Sequence, residues 1–252
     1  MPAILALPAG MIIGSFATVV AHRVPRHQSF IGGRSACPNC GGAIAAYDNV
    51  PVFSWLLLRG RCRSCGEHIS ARYPLTELGM AALFAGTVLI VGTGDPAELA
   101  LGLVLCALLV IITITDLERR VIPNLVLVSG AVIAVAIAGV GDPGSLAGRG
   151  LAAMGAAGFL LLIALAYPRG MGMGDVKLVA VMGLYLGRAV APALLIAFAA
   201  GAAVGLGLMA RRGRPARKQA IPFGPFLALG GVLGLWFGGA IIDWYLGTFL
   251  GA

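Results

Sequence analysis

The sequence predicts an all-α polytopic membrane protein of about eight transmembrane helices, interrupted once by a small polar insert between helices 1 and 2. Three observations carry that prediction. Of 252 residues, 59% are hydrophobic and 11% charged, and the mean hydropathy is +0.96; soluble domains carry roughly 25% charged residues. Apolar stretches long enough, or nearly so, to cross a hydrocarbon layer of about 30 Å recur along the whole chain, each closed by Gly, Pro or charge. A single sizeable polar segment, 22–74, breaks the series. The expected organisation is a first transmembrane helix over 1–21, a cytoplasmic four-cysteine insert over 22–74, and a transmembrane domain over 75–252.

The apolar spans fall near 3–21, 75–92, 99–115, 121–140, 146–166, 176–187, 190–210 and 222–241. Helices are the expected form, because only helices and closed barrels satisfy their own backbone in lipid. The sixth span is short and directly follows Asp175. The first is too long and continuous for a cleaved signal peptide, with no basic segment ahead of it and no small-residue cleavage site before His22.

Charge orients the series. With the N-terminus outside, the insert and the inside turns collect nearly all the cations, including Arg34, Arg119, Arg120, Arg169 and the run RRGRPARK at 211–218. Of the 18 Lys and Arg, only Arg149 and Arg188 fall outside, as the positive-inside rule expects. The outside turns carry Asp95, Glu98, Asp142 and Asp243. The net charge of +8 therefore reads as a topology signal, with attraction to anionic lipid head groups as a secondary use, and not as a nucleic-acid footprint.

Within the insert stand CPNC (37–40) and CRSC (62–65), separated by 21 residues. Cys37, Cys40, Cys62 and Cys65 have the spacing of a zinc ribbon, in which each pair bites one tetrahedral edge of the ion. Disulfides are the competing reading, but the loop lies on the reducing side, where paired thiols more often hold metal. A closed four-thiolate shell leaves no position for water, so the zinc is expected to be structural and to supply folding energy that so small an insert lacks. His22, His27 and His68 are weaker alternative ligands, and Cys106 reads as packing within the third span. The segment YDNVPVFSWLLLRGRC (47–62) carries an apolar stripe around Trp55, expected to pack the ribbon onto the membrane domain.

Ionisable groups at the ends of membrane spans are functional candidates by default. Glu77 and Glu118 have nearby arginines, Arg72 and Arg119, as ordinary partners. Asp116, closing the third span in ITITDLERR, and Asp175, opening the sixth in GMGDVKL, stand apart, and helix connectivity brings both to one side. Two facing carboxylates can share a proton, one serving as base on water and the other as acid to the scissile carbonyl and leaving amine. That is the chemistry of an aspartyl protease. Gly170, Gly172 and Gly174 would bare the backbone so that an extended peptide reaches Asp175. The plainer reading makes Asp175 a helix cap and Asp116 half of a surface ion pair with Arg119 or Arg120.

GSFATVVAHRVP (14–25), the two CxxC knuckles, YDNVPVFSWLLLRGRC, ISARYPLTEL (69–78), DLERRVIPN (116–124), GMGDVKL (172–178) and PFGPFLALG (222–230) together resemble the type IV prepilin peptidases, bacterial inner-membrane aspartyl proteases of the GxGD type. The resemblance implies that Asp116 and Asp175 are the catalytic pair, with Gly172 and Gly174 completing the signature. It also implies prepilin and pseudopilin substrates, cut after a glycine at the cytoplasmic face. A second activity follows from it, S-adenosylmethionine-dependent N-methylation of the new N-terminus, for which no G-x-G-x-x-G marks a donor site. Thr18 and Asn124 depart from the family pattern, where asparagine and aspartate are common. Gly230, Gly234 and Gly238 are expected to border a lateral gap or to pack helices. The competing readings are a peptidase without methyl transfer and a non-enzymatic scaffold or transporter using the ribbon as an interaction module.

Overall fold

The computed structural model describes residues 2–30, 35–167, 171–212 and 222–249. Arg34, Arg169, Gly170 and most of the basic run, Arg214, Arg217 and Lys218 included, lie outside the described residues. Among those described, the chain forms nine α-helices: α1 (Pro2–Arg23), α2 (Phe53–Leu57), α3 (Arg72–Ile90), α4 (Pro96–Arg119), α5 (Asn124–Gly141), α6 (Ser145–Ala166), α7 (Met173–Leu186), α8 (Val190–Arg212) and α9 (Gly224–Phe249). Each predicted span coincides with one of the eight longer helices. Seven described segments are long and apolar enough to cross a membrane, because Met173–Arg211 forms one segment. Gly187, at φ 53°, and a 3₁₀ turn break it into α7 and α8. With 14 residues, α7 reaches only about 21 Å at 1.5 Å per residue.

The chain packs as two compact units, Met1–Thr93 and Gly94–Ala252. In the first, α1 lies against α3 because glycines let the backbones meet. A Cβ at Gly10 would stand 2.6 Å from Ala81 Cα, and one at Gly14 2.8 Å from Glu77 Cα. Ala17, Ala21, Met80 and Ala81 are buried in this unit. By packing, α3 belongs with α1 in this unit.

The insert between α1 and α3 is two copies of one turn. In each knuckle the first cysteine's N–H donates five residues on, Cys37 to Gly42 O (3.0 Å) and Cys62 to Glu67 O (2.8 Å). Gly41 and Gly66, at φ 67° and 73°, supply the left-handed residue each turn requires. Single antiparallel bridges, Ala36 with Ala43 and Arg61 with His68, close the knuckles. Trp55 packs inside the insert, its Nε1–H donating to Ile69 O at 2.9 Å and its ring lying where a Gly60 Cβ would stand. The expected apolar stripe is therefore split: Trp55 faces inward, whereas Phe53, Leu56 and Leu57 are exposed.

In the second unit, Leu105, Leu109 and Ile112 of α4, Leu178 and Met182 of α7 and Leu227 of α9 are almost fully buried. Asp95 caps α4 by accepting from Ala97 N (2.9 Å) and Glu98 N (3.1 Å), with Pro96 as its first residue. Gly183 admits the Ala153 backbone of α6 against α7. Gly230, Gly234 and Gly238 do not border a gap on that helix face: each lies against Ala189, Ala193 or Ala197, packing α9 on the α8 side. Cys106 is fully buried and serves packing.

Candidate active site and metal centre

Asp116 sits in the last turn of α4, and Asp175 is the third residue of α7. The intervening α5 and α6 return the chain across the bundle, which is why a C-terminal and an N-terminal helix end meet. Both carboxylates are buried, Asp116 at 6% and Asp175 at 9% exposure, at the end of α4 and the start of α7, two helices that pack against each other. Neither plain alternative survives intact. No cation of the described residues lies within ion-pair distance of Asp116. Asp175 does close the helix start, but from inside the first turn.

Each aspartate is held by one backbone donor. Gly224 N–H, at the start of α9, donates to Asp116 Oδ2 at 2.8 Å. Gly172 N–H donates to Asp175 Oδ2 at 3.1 Å, and Asp175 N–H returns to Gly172 O at 3.1 Å. Among the described residues no donor occupies Oδ1 of either carboxylate, so one oxygen of each is left for chemistry. Three glycines make this possible by close approach. A Cβ at Gly224 would stand 2.6 Å from Asp116 Oδ2, one at Gly172 3.3 Å from Asp175 Oδ2, and one at Gly174 3.1 Å from Ile122 Cβ. Gly174 thus lets the α4–α5 turn close over the start of α7. Lys177 Nζ donates to Asn124 Oδ1 at 3.1 Å, a second tie between those segments.

Gly224 was not singled out from the sequence. Its signal was a glycine between two Pro-Phe pairs, IPFGPF, just before an apolar run; nothing local tells which carboxylate its N–H serves.

The four predicted cysteines converge. Cys37, Cys40, Cys62 and Cys65 place their sulfurs within 4.8 Å of one another, and Cys37 and Cys65 Sγ are 3.8 Å apart. A tetrahedral ion with bonds of about 2.3 Å to sulfur requires edges of about 3.8 Å, so the cluster fits structural zinc. The electrostatics agree. Backbone N–H groups of Cys40 and Asn39 aimed at its sulfur lower the Cys37 thiol to about 7. The Cys65 thiol is pushed up to about 11: the Glu67 N–H opposes this, but burial and the three crowded thiols prevail. Four thiolates need a cation between them. Asn39 Nδ2 bridges the knuckles, donating to Glu67 Oε2 at 3.3 Å. His22, His27 and His68 stand outside the cluster.

Glu77 takes a different partner from the arginine expected. It is buried in the first unit, accepting from Val52 N at 2.7 Å.

A model described as the bacterial peptidase A24 N-terminal domain matches residues 9–91, and the type IV leader peptidase family model matches residues 103–206. Proteins named prepilin leader peptidase/N-methyltransferase are similar over nearly the full chain. That of Burkholderia pseudomallei (strain 1026b) is 38% identical, across 92% of this chain and 84% of its own length. That of Aeromonas hydrophila is 37% identical, across 95% and 92%. That of Bacillus subtilis (strain 168) is 37% identical, across 96% and 97%. No solved structure matches the chain.

Proposed function

Because the chain belongs to the type IV leader peptidase family, we propose that it is a multi-pass inner-membrane aspartyl endopeptidase that removes the basic leader of prepilins and pseudopilins. It then N-methylates the new N-terminus. The observation that carries the reading is the pair of buried carboxylates, each fixed by one glycine N–H and each with, among the described residues, no donor on its other oxygen.

The reaction follows from that arrangement. Two adjacent carboxylates favour a shared proton, since both charges together are costly. The ionised one removes a proton from water as the water oxygen bonds to the scissile carbonyl carbon. The protonated one donates to the carbonyl oxygen, and collapse of the tetrahedral species breaks the C–N bond with a proton passing to the leaving amine. The backbone donors on Oδ2 hold each side chain in one rotamer, so little orientation remains to be lost in the transition state.

Cys37, Cys40, Cys62 and Cys65 hold zinc as a structural ion that keeps the insert folded. The methyl donor is S-adenosylmethionine, but among the described residues there is no strand followed by a glycine-rich turn. No step is assigned to residues around it. By the distribution of Lys and Arg, the insert and both aspartates face the cytoplasm, where a prepilin presents its leader.

Cleavage of a co-expressed prepilin by Asp116→Asn and Asp175→Asn variants, at equal membrane levels, tests the pair. Loss of cleavage in both is expected; processing by either variant sinks the aspartyl mechanism. Radiolabelled methyl donor, offered with a substrate already cut, separates methylation from cleavage.

A further inference from the structure

Helix α2 of the insert turns its apolar side outward. Phe53, Leu56 and Leu57, at i, i+3 and i+4, are 65%, 59% and 79% exposed. The opposite side is committed to the insert, through Trp55 to Ile69 O and Ser54 Oγ to Tyr47 O at 3.0 Å. So large an apolar exposure on a small polar domain marks a surface that something covers.

The position of α2 along α3 says what covers it. Val52, the residue before α2, donates its N–H to Glu77 Oε2 at 2.7 Å, and Glu77 is in the second turn of α3. That pins α2 beside the first two turns of a membrane-crossing helix, about 7 Å from its start at 1.5 Å per residue, at the level where that helix enters the leaflet. The tie holds Val52 at φ 62°, a conformation a β-branched residue otherwise avoids. Around the same level α3 exposes Tyr73, Leu75 and Leu78, so the two apolar surfaces belong to one unit and one depth. Arg59 and Arg61 follow α2 directly and are exposed. Arg63 is committed to Asp48, Nε to Oδ2 at 2.7 Å and Nη2 to Oδ1 at 2.6 Å.

We propose that α2 is an interfacial helix, seating Phe53, Leu56 and Leu57 in the leaflet that α3 enters, with anionic phospholipid headgroups bound by Arg59 and Arg61. The pattern is that of short amphipathic anchors, apolar residues at the acyl boundary and cations at the phosphates. The insert is then a domain resting in the membrane surface, and the strained Val52 turn sets its depth. This inference does not depend on the peptidase reading.

The test places a benzophenone amino acid at Leu57, and separately at Phe53, in the zinc-loaded full chain in nanodiscs of mixed zwitterionic and anionic phospholipid. After irradiation, mass spectrometry identifies what is joined. Lipid adducts at both positions are expected, enriched in anionic lipid above its share of the disc, with that enrichment lost in Arg59→Gln/Arg61→Gln. Adducts to helices of 94–252, to a second copy of the chain, or no adduct at either position would overturn the proposal. Lipid adducts without anionic enrichment would overturn its headgroup part. Since both probed side chains are exposed, neither substitution empties a core.

Discussion

A single missing Cβ decides the state of each aspartate. Gly224 lets its own N–H reach Asp116 Oδ2, so Gly224→Ala pushes the carboxylate off its donor. Losing a hydrogen bond to a charged group costs about 1.5–3 kcal/mol, and the expected loss in kcat for prepilin cleavage is about 10- to 100-fold. Gly174 works differently, since its added methyl would meet Ile122 Cβ at 3.1 Å and never touch a carboxylate. Gly174→Ala should therefore be partly rescued by Ile122→Ala in a cleavage assay, whereas Gly224→Ala should not. Equal behaviour of the two double variants would contradict this division of roles.

At the scale of elements, α7 is the helix that breaks a rule. It is too short to cross a bilayer alone, and beside α6 its regular helix gives way to a 3₁₀ turn at Gly187–Ala189, which leaves its last carbonyls seeking other donors. Arg149 of α6 answers them, Nη1 donating to Tyr185 O at 2.6 Å and Leu184 O at 3.3 Å while Nη2 pairs with Glu98 of α4. The Arg149 side chain is 10% exposed and that of Glu98 45%, so the carbonyl bonds outweigh the ion pair. Arg149→Met is expected to cost about 3 kcal/mol, as removal of a buried charged donor does. Glu98→Gln should cost less than about 1 kcal/mol, like other partly exposed pairs. Thermal unfolding of the two variants in detergent micelles checks the order, and equal losses would show the ion pair to be the main contribution. The two cations that fall outside by the charge rule thus have local partners, since Arg188 meets Asp243 at 3.3 Å.

For the whole molecule, the four-cysteine cluster belongs to the unit Met1–Thr93 and the aspartates to the unit Gly94–Ala252. Structural zinc contributes on the order of 10 kcal/mol to the folding of small ribbons, far more than the few side-chain bonds that otherwise hold the insert. A strong chelator should expose the segment between α1 and α3 to protease while the helices of Gly94–Ala252 stay protected, read by fragment mass. Fragmentation of both units at once would mean that the metal supports more than the insert. Cys62→Ser should reproduce the chelated pattern without chelator.

The sequence by itself determined the class of the molecule, the eight helical segments and the four cysteines that converge; it also picked out the two aspartates whose catalytic role we propose. Those features are written locally: hydropathy over about twenty residues fixes a span, and paired CxxC turns close within a few residues. Local signals could not say that Trp55 turns inward while Leu56 and Leu57 turn out, that Glu77 takes the Val52 N–H instead of an arginine, or that Gly230, Gly234 and Gly238 fill against α8. The tertiary structure alone decided these, and with them the Gly224 donor on Asp116, which acts across 108 residues of chain. Glycine carries no side chain to announce its role, so what it permits is visible only when the group that occupies its empty Cβ position has been brought there by another helix.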